Sequence, residues 1–190
     1  MKKLLCLLLA VTMLMGSLFI LSACDEKDKK DKEETTEEEK EVFKAPEGYT
    51  VYENDYISFA YPSEWTKTDL GEDAGVMIMD GKNGNNITAV PEEYSDTYKN
   101  MTVEEFNKTI KPQLTASGLT VSGVKIEQIK GTNSLAITKI SYTVKSSGVT
   151  MKQYIYIVPS GDRNYAVNFT EVQAVEGLLD ILLSSITAKK

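Results

Sequence analysis

The sequence predicts an α+β domain with a mainly antiparallel sheet, and three observations support this prediction. Four segments rich in β-formers follow one another in the second half of the chain, separated by short turn clusters. One amphipathic helix is expected in mid-chain and a second after the last strand. Strand spacings of about 10 to 15 residues favour hairpins over crossover connections.

The N-terminal segment has the pattern of an export signal. Residues 1–3 carry positive charge, residues 4–20 are apolar, and small residues precede Cys24. The sequence Leu21-Ser22-Ala23-Cys24 resembles the lipobox of bacterial lipoproteins. That resemblance implies a signal peptide at 1–23 and a diacylglyceryl lipid on Cys24. A transmembrane helix is the alternative, because residues 4–23 approach the length of about 20 that a span requires.

A charged segment follows the cysteine. Residues 25–41 contain ten acidic and five basic residues and no apolar side chain. Such a composition cannot bury a core, so we expect residues 24–45 to form a disordered linker. A solvated spacer is the favoured interpretation, and an acidic tail that binds a metal or a partner is the alternative. The folded domain is then expected at 46–190.

The first half of that domain is predicted to be a β-meander. Short strands are expected at 50–53 and 57–60, and Pro62 should end the second. Strands at 76–79 and 87–90 are separated by a segment rich in glycine and asparagine, which tolerate positive φ and favour a hairpin turn.

The mid-chain helix carries its own start signal. Thr102 and Glu105 have the spacing of a capping box, and Met101 and Phe106 that of a hydrophobic staple. Pro112 lacks an N–H and should kink this helix or begin a new one. The expected apolar face consists of Val103, Phe106, Ile110 and Leu114.

The second half is predicted to contain strands at 121–130, 136–145, 150–158 and 165–169. Apolar residues occupy both the odd and the even positions of 154–158, so both faces of this strand are expected to be buried. This pattern indicates a central strand of the sheet. Thr170, with Gln173 three residues later, is expected to open a closing helix. Its apolar stripe would comprise Val172, Val175, Leu178, Leu179, Leu182, Leu183 and Ile186.

A motif near the start of the domain points to a family. Residues 56–65, a short strand leading into Tyr61-Pro62-Ser63-Glu64-Trp65, resemble the opening of PsbP-like and DcrB-like domains. The resemblance implies a three-layer α/β/α sandwich with a central antiparallel sheet over 47–188. No partner-binding or metal-binding residue of those families matches a position of this chain, so their roles do not carry over.

Composition narrows the possible chemistry. The chain has no histidine, which removes the usual general base and excludes a Ser-His-Asp triad. Both cysteines, Cys6 and Cys24, lie before the domain. No spacing singles out a catalytic pair, so we expect no catalytic residue and no cofactor. Residues 42–190 carry a net charge of −4, which argues against nucleic acid as a partner.

Two sets of side chains remain as site candidates. Tyrosine and tryptophan provide contact area with a polar end, so five aromatic residues could line a binding surface. They are Trp65, Tyr61, Tyr56, Tyr94 and Tyr98. Alternatively, Trp65 fills the core beneath the first hairpin. The carboxylates of Glu72, Asp73, Glu92, Glu93 and Asp96 could ligate Ca²⁺ but lack the regular alternation of a calcium loop, so no metal site is expected.

These observations favour a lipid-anchored module on the outer face of the bacterial cytoplasmic membrane. It would bind or assemble with an envelope protein or ligand without catalysis. A hydrolase based on carboxylates or a Ser/Lys pair, acting on the cell wall, is one alternative. A carrier of a small ligand or metal is the other.

Overall fold

The largest part of the described fold is one seven-stranded antiparallel sheet. The computed structural model describes residues 43–71 and 74–189. The expected signal peptide, Cys24 and the charged segment up to residue 42 lie outside these ranges. In chain order the strands of the sheet are β3 (Thr66–Gly71), β4 (Gly75–Met79), β5 (Asn86–Glu93), β6 (Thr120–Lys130), β7 (Ala136–Ser146), β8 (Val149–Ser160) and β9 (Arg163–Glu171). Their spatial order is β3-β4-β5-β9-β8-β7-β6.

A smaller sheet combines the two ends of the described chain. The hairpin of β1 (Tyr49–Glu53) and β2 (Ile57–Pro62) is extended by β10 (Thr187–Ala188), which pairs antiparallel with β2. Pro62 is the last residue of β2. The predicted strands of both halves are confirmed to within a few residues. The central position of 154–158 is also confirmed, since β8 lies between β9 and β7.

The large sheet is covered on both faces. Ile155 and Ile157 of β8 point into one apolar cluster, whereas Tyr156 and Val158 of the same strand point into the other. This alternation follows from the two-residue period of a strand. Helices from mid-chain cover one face, and the small sheet with the closing helix covers the other. The α+β class predicted from the sequence fits this arrangement.

The mid-chain helix begins where the sequence predicts. Helix α1 (Val103–Thr109) has Thr102 as N-cap, and Thr102 and Glu105 form both hydrogen bonds of the capping box. A second helix, α2 (Lys111–Ala116), follows directly and has Pro112 in its first turn. Phe106, Ile110 and Leu114 are buried, but Val103 is 39% exposed. Val103 was wrongly expected on the apolar face: it is the first residue of α1, and the buried positions lie four residues apart at Phe106, Ile110 and Leu114.

The closing helix starts later than predicted. Helix α3 covers Leu178–Ser185 and follows Gly177, whose φ is +72°. Thr170 does not begin this helix, because it lies in β9 and pairs with Gln153 of β8. Its hydroxyl donates to Gln153 Oε1 at 3.1 Å. The backbone N–H groups of Val172 and Gln173 bind Asn85 Oδ1 instead of starting a helix. Among the described residues, no helix is long and apolar enough to span a membrane.

Candidate binding groove

The five aromatic residues singled out by the sequence do not form one surface. Trp65 and Tyr61 are 6% and 7% exposed and belong to the core between the small sheet and the large one. The Trp65 ring lies 6.3 Å from that of Phe169. Tyr98 is buried in the cluster on the opposite face. Tyr94 is exposed, with Lys99 Nζ 5.5 Å from its ring centre. Trp65 therefore occupies the core position that the alternative interpretation gave it.

Tyr56 lies in a groove of about 380 Å³, which we call the tyrosine groove. The groove runs between the turn that joins β1 to β2, the adjoining ends of β3 and β4, and the beginning of β9. Its lining residues are Tyr52, Asn54, Asp55, Tyr56, Asp69, Gly71, Gly75 and Tyr165. Two lining side chains are acidic and none of those described is basic. Its volume falls within the range of small-molecule sites.

Asn54 organises one wall of the groove. Its Oδ1 accepts hydrogen bonds from the backbone N–H groups of Tyr56 and Ile57, both at 2.9 Å. This is the local bonding that makes asparagine a preferred turn residue. Its Nδ2 donates to the hydroxyls of Tyr52 at 3.2 Å and Tyr165 at 3.3 Å. One side chain thus fixes both the β1–β2 turn and two phenol groups from distant parts of the chain.

Two cations lie over the tyrosine rings. Arg163 Cζ is 4.2 Å from the ring centre of Tyr56, and Lys67 Nζ is 5.9 Å from that of Tyr52. Lys67 also pairs with Asp69 Oδ2 at 3.2 Å. Burial raises the pKa of the Tyr52 and Tyr165 hydroxyls above the usual value, although the hydrogen bonds with Asn54 act in the opposite direction. Both phenols are consequently protonated at neutral pH.

A close backbone contact shapes the far end of the groove. Gly75 has a φ of +85°, and a Cβ at this position would lie 2.0 Å from the carbonyl oxygen of Ala89. Any side chain would therefore push β4 away from β5. Only glycine allows the two strands to approach this closely here.

Two of the carboxylates considered as possible calcium ligands, Glu92 and Asp96, have other partners. Tyr98 donates its hydroxyl to Glu92 Oε2, and Asp96 pairs with Lys99 at 2.7 Å. Glu72 and Asp73 lie outside the described residues. Within 43–71 and 74–189, no three acidic, histidine or cysteine side chains are close enough to hold a metal ion.

Glu92 stands out among the buried polar groups. Its Oε1 atom is inaccessible to solvent and has no hydrogen-bond partner within the part of the chain that the structure describes. Burial raises the pKa of this carboxyl above the usual value, and the hydrogen bond from Tyr98 offsets part of the effect. The Tyr98 hydroxyl has a raised pKa because it is buried beside this carboxylate.

Comparison with known proteins gives only a structural likeness. No protein-family model matches the chain. No curated protein matches it significantly. A crystal structure of a protein from Bacteroides thetaiotaomicron VPI-5482 is similar at a TM-score of 0.46 with 14% sequence identity. The alignment covers 70% of this chain but only 45% of the Bacteroides protein.

Tyr56 was predicted from the sequence as a site residue, but the other residues of the groove were not. Tyr165 lies 111 positions from Asn54, and no spacing rule connects the two. Asp69 lies on β3, whose six residues are all exposed and carry no apolar alternation. The motif at Asn54-Asp55, which interrupts two β-rich segments, was the available signal for a functional turn.

Proposed function

We propose that this protein is a lipid-anchored module on the outer face of the bacterial cytoplasmic membrane and binds an envelope component without catalysing a reaction. The observation that carries the proposal is the sequence Leu21-Ser22-Ala23-Cys24, which follows an apolar run and precedes a charged segment. Lipid on Cys24 would hold the domain at the membrane, since two acyl chains give stable anchoring whereas one does not.

The fold proposal is the three-layer PsbP-like sandwich. In its favour, α1 and α2 pack on one face of the large sheet and α3 packs on the other. The small sheet of β1, β2 and β10 shares the second layer with α3. In this arrangement residues 56–65 form β2 and the turn that brings Trp65 into the core.

The tyrosine groove is the proposed binding surface. It is a concave region in which aromatic rings, carboxylates and an amide come together, and such a combination provides both contact area and orientation. This assignment replaces the surface around Trp65 and Tyr61, because buried side chains cannot contact a partner. Tyr56 is retained from the sequence-based set.

Substitution of the cysteines tests the anchor. We expect Cys24→Ser to abolish incorporation of radiolabelled fatty acid and to release the chain from washed membranes. Cys6→Ser is the matched control, since it removes a thiol from the expected signal peptide and should leave labelling unchanged. Continued labelling of the Cys24→Ser chain would refute the anchor.

Crosslinking in the native cells tests the binding role. We expect an envelope component to be captured by the wild-type chain and lost with Asp55→Asn or Tyr56→Leu. Tyr94→Leu removes an exposed tyrosine outside the groove and should leave capture intact. Capture that none of the groove substitutions alters would show that another surface binds.

A carboxylate-based hydrolase is the second candidate, because Asp55 and Asp69 line one groove. Glycoside hydrolases use two carboxylates on either side of the bond that they cleave. Release of soluble fragments from purified cell walls by the wild-type chain, lost in Asp55→Asn and Asp69→Asn, would favour this function over the binding module.

A further inference from the structure

We propose that the tyrosine groove binds an organic ammonium group, held between the ring of Tyr52 and the carboxylate of Asp69. This inference rests on the proposed function and names the chemical class of its ligand. The ligand cation would take the position that Lys67 Nζ occupies in this structure. Asp55, which is exposed at the same groove, supplies a second negative charge.

The charge distribution favours a cation. Among the described residues that line the groove, two carry carboxylates, three carry phenol rings and none carries a positive charge. The face of an aromatic ring attracts cations through its quadrupole, and tyrosine-lined cages that recognise quaternary ammonium groups use this attraction. An anion would meet both carboxylates, and the two cations nearest the groove are already paired, Lys67 with Asp69 and Arg163 with Asp162.

Lys67 marks the place of the ligand. Its ammonium lies 5.9 Å from the Tyr52 ring centre and 3.2 Å from Asp69 Oδ2. Both side chains of this ion pair are exposed to solvent, at 42% and 66%, so the pair is weakly held. Lys67 can therefore swing into solvent while a second ammonium takes its contacts, and the net charge at Asp69 remains compensated.

The ring is positioned in advance. Tyr52 packs against Phe59 with ring centres 5.1 Å apart, and its hydroxyl accepts a hydrogen bond from Asn54. A ring held on one face and at its hydroxyl needs little ordering when a ligand arrives, which reduces the entropic cost of binding. Arg163 lies over the neighbouring Tyr56 ring in the same manner, so cations are already accommodated on two rings of this groove.

The test is a titration of the full-length chain in maltoside micelles with choline, followed through the line width of the choline methyl signal. The control ligand is 3,3-dimethylbutan-1-ol, which has the same shape without the charge. We expect choline to bind and the alcohol to bind at least roughly fivefold more weakly. Equal binding of the two compounds, or none of choline, would overturn the assignment.

Variants locate the site. Tyr52→Leu should weaken choline binding roughly 5- to 30-fold, whereas Tyr52→Phe keeps the ring and should stay within about twofold. Asp69→Asn, at an exposed position of β3, should weaken it about two- to fivefold, and Lys67→Gln should strengthen it about as much because the competing ammonium is gone. Lys67→Gln that weakens binding would contradict the model of a displaced lysine.

The ammonium assignment and the proposed binding function can be refuted separately. If choline does not bind but in-cell capture still depends on the groove, the ammonium assignment is wrong and the binding module stands. If choline binds as expected, vesicles with phosphocholine headgroups separate the two possible sources of the cation. Recruitment of the chain to such vesicles, beyond phosphoglycerol vesicles, indicates a lipid headgroup, and its absence indicates a soluble ammonium compound.

Discussion

The buried side chain of Asn85 is expected to stabilise the fold by joining the turn between β4 and β5 to the segment that follows β9. The variant Asn85→Ala tests this expectation. Asn85 is fully buried. Its Oδ1 accepts from the N–H groups of Val172 at 2.8 Å and Gln173 at 3.0 Å, and its Nδ2 donates to Asp80 Oδ2 at 3.1 Å. One side chain thus joins the β4–β5 turn to the segment that leads to α3.

The expected loss can be estimated from these three bonds. A neutral hydrogen bond contributes about 1 kcal/mol and one to a charged group about 1.5 to 3 kcal/mol, with a further cost when a buried partner is left unpaired. Asn85→Ala should therefore lower the free energy of unfolding by about 3 to 5 kcal/mol. That is a large share of the roughly 5 to 15 kcal/mol typical of a domain.

The assay is urea unfolding followed by tryptophan fluorescence. Trp65 is the sole tryptophan of the chain and lies in the core beside Phe169, so its emission reports on the packed state. Asn107→Ala, at an exposed position of α1, is the control and should change stability by less than about 0.5 kcal/mol.

A second variant distinguishes the hydrogen bonds that Asn85 accepts from the one that it donates to Asp80. Asn85→Asp keeps the acceptor for the two N–H groups but places a second carboxylate beside Asp80. Like charges repel, so this variant should be unstable at pH 7 and regain stability as the pH falls toward 4 and one carboxylate is protonated. A loss below about 1 kcal/mol for Asn85→Ala, or no pH dependence for Asn85→Asp, would refute the reasoning.

Three further predictions concern buried or capping groups, each measured by the same unfolding assay. Because the pKa of Glu92 is raised in the folded state, its contribution to wild-type stability should be lost as the pH rises above about 4.3 and through the folded pKa. Glu92→Gln should remove this pH dependence of the free energy of unfolding. An unchanged pH dependence would contradict the assignment. Thr102→Ala should cost about 1 kcal/mol through the lost cap, compared with less than about 0.5 kcal/mol for the exposed control Thr115→Ala. Ser185→Ala leaves the buried N–H of Ala60 without its acceptor and should cost about 1 to 3 kcal/mol; a neutral result would mean that another group takes over.

Local signals in the sequence were sufficient for most of the fold. The capping box of Thr102 and Glu105 depends on residues three apart, and both of its hydrogen bonds form. The strands of the second half alternate with turns that glycine and asparagine define. In each case the determinant lies within about ten residues, which is the range that periodicity and turn chemistry can report.

The errors come from contacts that sequence spacing cannot report. The helix expected to begin at Thr170 does not form there, because the N–H of Val172 binds the side chain of Asn85 instead. Asn85 lies 87 positions away in the sequence, so no local pattern reports this contact. Strand β3 was missed, since an exposed edge strand has no apolar face to alternate. The tyrosine groove depends on Asn54 and Tyr165, which only the pairing of distant strands brings together.

The pairing of β10 with β2 has a consequence for the timing of folding. Ser58 and Thr187 are neighbours through a 2.6 Å hydroxyl contact although 129 positions separate them, and the N–H of Lys189 binds the carbonyl of Tyr56. A chain that crosses a membrane with its N-terminal end first would expose β2 long before β10 emerges. In a chain exported in this way, the small sheet could form only after residue 188 had crossed the membrane, so the domain could not be completed before translocation ended.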